Sequence, residues 1–389
     1  MTKFSPKVDV LIVSTGSLEV PTVRGGGIQE FDYQIALHLP RSLDVRIAAP
    51  FHGRFDGLVP LASNAAVDQV YFPAVKTYPP RGISKLQALA SVLYSALVSL
   101  KIVSLKRKSL RVIIVDHKVT GILPALTARI LGIRSIYSEG NNYPWDIYIS
   151  GTRFSRIGWV LNLIAGRQMC RLVTRVRVLA PHFATAMARF GVQQSKMSPI
   201  PNGVAVETFR PQDGRDAGFV VGFLGRVVEE KGAPLLRQII TSALTELPEA
   251  KFIILGKGPL AESLSKLPNV VFSESVPRRK LPEYIARADV FLFFQRGFGL
   301  AELEVLASGK PIVTLESNDT REYLMHGDNG FLVRPTVEGY LEVLKFLKGN
   351  SQLAAEVGRK ARGLAEREFS WGRIGKLWAE LIEETLAES

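Results

Sequence analysis

An arginine and a lysine, Arg226 and Lys231, stand in the turn FVVGFLGRVVEEKG, directly behind an apolar run. Two more turns of similar make-up follow, KFIILGKGP and VFLFFQRGFGLAELEVLASGKP. A buried strand, a glycine turn and a helix start in succession build an anion site. The helix N-terminus offers unpaired N–H groups and a partial positive charge, and glycine lets a phosphate approach the backbone. With the fixed cations Arg226 and Lys231 added beside Gly225, such a pocket suits a nucleotide diphosphate.

The elements that must position these turns recur along the whole chain. In the first half VDVLIV, LDVRIAA, RVIIVD and RSIYSE alternate with helix-like stretches such as IQEFDYQIALHL and ILPALTARILG. The second half repeats the theme with VVGFL, KFIIL, NVVF, DVFLFF and PIVTL. Strand–helix alternation predicts parallel sheets covered on both faces. IPNGVAVETFRPQDGRDAG reads as the linker. The expectation is therefore an α/β protein of two doubly wound domains, with ligands beyond the carboxyl ends of the strands. In the tail, Trp371, Ile374, Leu377, Trp378 and Leu381 fall on one helix face, expected to pack on the first domain.

A length of 389 residues is comfortable for two cores. The single cysteine, Cys170, excludes an internal disulfide framework and a cysteine-built zinc site, and fits a reducing compartment. The opening MTKFSPKVDVLIVSTG reads as a first strand rather than a signal peptide. The best bilayer candidate, Leu86 to Leu100, is shorter than the roughly 20 residues a spanning helix needs. Charge is uneven: residues 1–200 carry 25 Lys and Arg against 10 Asp and Glu, and the remainder carries 24 against 26. Leu86, Leu89, Leu93, Leu97 and Leu100 line one side of a helix ending in KIVSLKRKSLR, and TRFSRIGWVLNLIAGRQMCRLVTRVR mixes Trp159, Leu161, Ile164 and Leu172 with arginines. Each fits an anionic membrane surface or, equally, a core-facing helix with a solvated basic edge. The cations are not interleaved with aromatics, so no nucleic-acid partner is expected.

The chain resembles the retaining GT-B-fold glycosyltransferases of family four, the glycosyl transferases group 1. The resemblance runs from about Val8 to the last helix and is densest at IPNGVAVETFRP, FLGRVVEEKG, ILGKGP, ADVFLFFQRGFGLAELEVLASGKPIV, HGDNGFLV and FSW. It implies two facing Rossmann-like domains: an acceptor-side domain over 1–200, a sugar-nucleotide domain over 203–370, and a helix at 371–389 crossing back onto the first. It implies that Arg226 and Lys231 bind the diphosphate, with the glycines Gly225, Gly256 and Gly258 lining its turns. Cations there stabilise charge that grows on the leaving nucleoside diphosphate.

By the same resemblance Glu304 is the second member of a paired-acid motif and accepts from the ribose hydroxyls. Glu302 lies on the other side of the same helix at about 100° per residue. Gly297, Phe298, Gly299 and Leu300 open that helix toward the donor. The first acid of the motif is replaced by Arg296, which cannot accept a hydrogen bond. Three readings stay open: a carboxylate-bearing donor sugar, another group in the acid's role, or binding without turnover. GKGPLA, with Glu274 further on, also fits a dinucleotide-binding turn and gives an NAD-dependent oxidoreductase as a minor alternative.

On the acceptor side, Gly25, Gly26 and Gly27 match a glycine pair that faces the donor phosphates in the family. Asp116 and His117 follow RVIIV, where family members often carry a histidine, and Glu139 is the nearest ionisable group where a further histidine is expected. Either His117 or Glu139 is a candidate for the acceptor hydroxyl. No Asp-x-Asp pair or histidine cluster has metal-ligand spacing, so neither a metal nor a bound cofactor is expected and the sugar nucleotide is a substrate. The reading is a cytoplasmic, membrane-peripheral glycosyltransferase acting on a glycan, lipid-linked or small-molecule acceptor. Its rival is a catalytically silent sugar-nucleotide-binding protein of the same fold.

Overall fold

The structure is a computed structural model that describes residues 7–15, 20, 27–51, 58–71, 85–140, 156–214, 216–274, 276–295 and 297–388. The chain divides into two compact units. Among the described residues one takes in everything up to Pro201 together with 372–388, and the other covers Asn202–Trp371.

In the first unit β1 (Val10–Val13), α1 (Gly27–His38), β2 (Val45–Phe51), β3 (Leu58–Ala62) and β4 (Ala65–Tyr71) are followed by α2 (Lys85–Lys106), β5 (Val112–Val115), α3 (Ile122–Ile130) and β6 (Arg134–Ser138). Then come α4 (Arg156–Leu172), β7 (Arg175–Val178), α5 (Pro181–Arg189) and β8 (Met197–Pro199). The sheet order is β3-β4-β2-β1-β5-β6-β7-β8, parallel except for the β3–β4 hairpin at the edge. Strand order reverses between β1 and β5, so right-handed crossovers put α1 on one face and the later helices on the other. Tyr94, Val98 and Ile102 of α2, Ala125 and Ala128 of α3 and Met169 of α4 bury their side chains in one core with Ile113 and Val115.

The second unit holds β9 (Val220–Leu224), α6 (Ala233–Glu246), β10 (Lys251–Leu255), α7 (Ala261–Ser265), β11 (Val270–Ser273), α8 (Leu281–Ala286) and β12 (Val290–Leu292). It continues through α9 (Leu300–Ala307), β13 (Ile312–Leu315), α10 (Asn318–Tyr323), β14 (Phe331–Val333), α11 (Val337–Gly349) and α12 (Ser351–Glu368). Its six strands are all parallel, in the order β11-β10-β9-β12-β13-β14, and the order reverses between β9 and β12. Apolar runs such as KFIIL and VFL bury nearly every residue, as strands covered on both faces require.

The last helix, α13 (Trp371–Ala387), buries Ile374, Trp378, Leu381 and Ile382. Trp378 stands 5.9 Å from the Phe31 ring of α1. Gly375 lies where a side chain would strike the carbonyl oxygen of His38, which sets how closely α13 passes α1.

Two expectations are corrected here. The basic stretch ending in VTRVR is not one amphipathic segment: α4 stops at Leu172, and Arg175–Val178 is a buried strand. Arg177 on it is 1% exposed, donates to the carbonyl of Ile200 and lies 4.8 Å over the Phe31 ring. The apolar run expected to end at Leu100 is part of the 22-residue α2. Its window Leu89–Lys106 is long and apolar enough to cross a membrane by length and composition, yet its inner face lies in the core.

Candidate active site

Open α/β sheets bind ligands outside the carboxyl ends of their strands, where the strand order reverses. In the second unit that point lies between β9 and β12, and the two chain segments leaving it are Gly225–Lys231 and Phe293–Leu300. Arg226 is exposed there and Lys231 is half-buried, one residue before the left-handed Gly232 that caps α6. Burial pushes the Lys231 ammonium below its ordinary pKa. Glu302 works against that shift and the nearby Arg226 adds to it. The Glu302 carboxyl is in turn raised by burial and held down by Lys231. Arg226, Lys231 and Glu302 therefore form one electrostatic group, a cationic pair with a buried counter-charge.

Gly225, Gly256 and Gly258 belong to two turns that pack on each other. The Gly225 N–H donates to Leu255 O and the Val227 N–H to Lys257 O. A Cβ on Gly256 would overlap Gly225 O, and one on Gly258 would overlap Val227 O. The structural need for Gly256 and Gly258 is this backbone-on-backbone contact, which fixes the loop that carries Arg226. The helix after GKGP is only the five-residue α7, too short for the helix that opens a dinucleotide fold.

The loop entering α9 departs from expectation in one respect. Gly299 does not offer its N–H outward: the N–H donates to Glu302 Oε2 at 3.0 Å in a capping arrangement. Glu302, read as the helix's other side, thus caps α9 and lies near enough to Lys231 for each charge to shift the other's pKa. Phe298 packs its ring 5.7 Å from Tyr323 and 5.9 Å from Phe369, which anchors the loop. Gly297 has φ +135° and sits beside Asp319, and Leu300 is the first residue of α9. Arg296, Gly25 and Gly26 lie outside the described residues; Gly27 is the exposed first residue of α1.

Glu304 is 4% exposed and stands 2.7 Å from the guanidinium of Arg278, which lies over the Phe209 ring. Sequence reasoning missed Arg278. The run PRRK names three cations with nothing to say which one turns back toward α9.

In the first unit the order reverses between β1 and β5, and Asp116 and His117 leave β5 at that point. His117 Nδ1 accepts from the Thr120 N–H at 3.3 Å, so its remaining N–H sits on Nε2. Burial, then Lys118, lowers its pKa to about 4, leaving a neutral imidazole at ordinary pH. Asp116 faces away from that role. It is buried beside Asp32 of α1, and burial pushes both carboxyls up. Ser14 works against that rise at Asp32, and Ser138 and the Arg177 charge work against it at Asp116. Glu139, at the end of β6, is 3% exposed and accepts from the Tyr137 hydroxyl at 2.8 Å. Among the described residues no three His, Cys, Asp or Glu side chains gather as metal ligands.

Residues 218–347 match the family described as glycosyl transferases group 1. The chain is 27% identical over 268 residues to a GDP-mannose-dependent alpha-(1-6)-phosphatidylinositol monomannoside mannosyltransferase of Mycolicibacterium smegmatis, a match spanning 60% of this chain and 69% of that one. It is 29% identical over 189 residues to the sulfoquinovosyl transferase SQD2 of Arabidopsis thaliana, covering 43% and 36% of the two chains. Among solved structures, sucrose-phosphate synthase from Thermosynechococcus elongatus superposes with a TM-score of 0.81 at 15% identity, over 98% of this chain and 100% of that one. HepE of Anabaena with UDP-glucose gives 0.72 at 19% identity over 97% and 99%. Residues 218–347 thus carry the match to the glycosyl transferases group 1, and the chain, with Rossmann-like parallel sheets in both units, has the GT-B fold of its structural neighbours.

Proposed function

We propose that the protein transfers a sugar from a nucleoside-diphosphate donor to a glycan, lipid-linked or small-molecule acceptor, retaining the anomeric configuration and needing no metal ion or bound cofactor. The observation that carries this reading is the grouping of Arg226, Lys231 and Glu302 where the strand order reverses. A diphosphate placed there meets two cations whose own repulsion it relieves. As the glycosidic bond breaks, charge accumulates on the departing phosphate, and Lys231, partly desolvated, responds to it more strongly than a surface lysine would. Glu304, steadied by Arg278, takes the ribose hydroxyls. His117 supplies a neutral N–H to the acceptor, and Glu139, held by the Tyr137 hydroxyl, is the second candidate for the acceptor hydroxyl.

The mannosyltransferase relative acts on a phosphatidylinositol mannoside, which favours a lipid-linked acceptor. The reading places the protein on the cytoplasmic side of a membrane, attached peripherally through its basic first half. A panel of UDP-, GDP- and ADP-sugars, followed by NMR for release of nucleoside diphosphate, tests it. Turnover with an unchanged anomeric configuration in the product, insensitive to EDTA and abolished by Lys231→Ala, is the expected result. Tight donor binding without any turnover would instead favour the silent binding protein that the arginine at position 296 brings to mind.

A further inference from the structure

We propose that the outer face of α2, α3 and α4 docks on an anionic bilayer, with a lipid headgroup site between the C-terminal ends of α3 and α4. This rests on the membrane reading above and says which surface does it. Among the described residues fifteen large apolar side chains are exposed, and twelve belong to these three helices and the turn before α3. Leu89, Leu93 and Leu100 run along α2, Leu126 and Ile130 continue the face on α3, and Leu161 extends it on α4. α2 packs on α3 and α3 on α4, so the three form one continuous layer.

All three helices lead into parallel strands and so run in the same direction, which brings their C-termini to one end of the sheet. None of them contains an aspartate or glutamate. Lys106 and Arg107 end the first, Arg129 the second and Arg171 the third, and all four are exposed. A cavity of about 270 Å³ opens between the last two ends, lined by Arg129, Arg134, Arg171 and Lys196, with Glu388 the one acid on its wall. That is many times the roughly 30 Å³ share of one water. Ile130, 75% exposed, adjoins Arg129 at its rim. An apolar face bordered at one end by cations matches acyl chains beside phosphate headgroups.

Two other occupants fit less well. A second copy docked face to face offers the cationic border no counter-charge, since none of the three helices carries an aspartate or glutamate. A spanning α2 would have to strip Tyr94, Val98 and Ile102 from the core and break the bond from Ser95 to Thr120 O.

The test is sedimentation of the full chain with vesicles of phosphatidylglycerol and phosphatidylcholine, against phosphatidylcholine alone. Binding at least tenfold tighter to the anionic vesicles is expected. Ile130→Glu, or Leu100→Glu with Leu126→Glu, should weaken it at least tenfold; Arg129→Gln with Arg171→Gln should remove the preference for phosphatidylglycerol. Each variant is first shown to melt as the wild type does, and the single Ile130→Glu serves if the double variant does not fold. Lys231→Ala should bind vesicles normally, so failure of the catalytic reading leaves this result standing. Absent vesicle binding, or equal binding to both vesicle types, overturns the proposal. So does a dimer by light scattering that Ile130→Glu dissolves, or thermal stabilisation by free glycerol phosphate equal to that by vesicles.

Discussion

Arg278 and Glu304 form an ion pair at 2.7 Å in which the carboxylate is nearly enclosed and the guanidinium is 42% exposed. The asymmetry decides what each substitution does. Arg278→Ala strands a buried charge and should cost about 1–3 kcal/mol in urea unfolding, with solvent at the arginine keeping it toward the low end. Glu304→Gln removes the charge that needed pairing and should cost less. In the double variant the loss should be smaller than the sum of the two. Additive losses would mean that the contact contributes no coupling.

The pairing of the two glycine turns gives a second prediction. Gly256→Ala drives a methyl into the Gly225 carbonyl oxygen at φ +147°, a backbone region unfavourable to alanine. The loop carrying Arg226 must shift, at a cost of about 3 kcal/mol or more. Gly349→Ala, which meets nothing within 4 Å and has an ordinary φ, should stay within about 1 kcal/mol of wild type and on the stabilising side. Thermal melts of the two variants side by side check both halves.

Much of this fold is legible in the sequence because buried parallel strands must be apolar throughout, and VVGFL or RVIIV can be little else. Where the rhythm weakens the reading fails. The edge hairpin β3–β4 has no glycine in its turn, and Arg177 disguises β7 as part of a basic helix. The cations of the candidate site are legible from their turn, but their counter-charges are not. Glu302 with Lys231, Arg278 with Glu304 and Asp32 with Asp116 each join segments brought together only by the folded chain. Helical spacing correctly separates Glu302 from Glu304; it cannot say that Glu304 pairs with Arg278 while Glu302 caps α9 within the field of Lys231.

Asp32 and Asp116 are both buried and their carboxyls interact, with Ser14 beside the first and Ser138 beside the second working against the upward shift. The pair is most stable sharing a proton. Asp32 has its pKa raised first by burial and then by Asp116, so the folded chain holds a proton that the unfolded chain releases above about pH 4. Its contribution to stability is full below that pH and is lost as pH rises toward the elevated value. Asp32→Asn supplies a permanent donor to Asp116 and removes this loss. The stability of the variant relative to wild type should therefore grow with pH in urea titrations from pH 4 to 8. Parallel profiles would mean that the two carboxyls do not share a proton.

His117 has the opposite sign. Its pKa falls from 6.5 to about 4 on folding, because burial and Lys118 disfavour the imidazolium. Stability from this group is complete above pH 6.5 and drains away as pH falls toward 4, with an upper bound of about 3 kcal/mol. His117→Gln should flatten that limb of the stability curve while leaving neutral-pH stability within about 1 kcal/mol. The same shift bears on catalysis. A histidine already neutral at pH 6 cannot produce an acid limb near 6.5 in kcat/KM, and its role is confined to the hydrogen bond its Nε2 donates. Wild-type activity should therefore run level from pH 6 to 8, and a limb near 6.5 that disappears in His117→Gln would show that the ring titrates in solution.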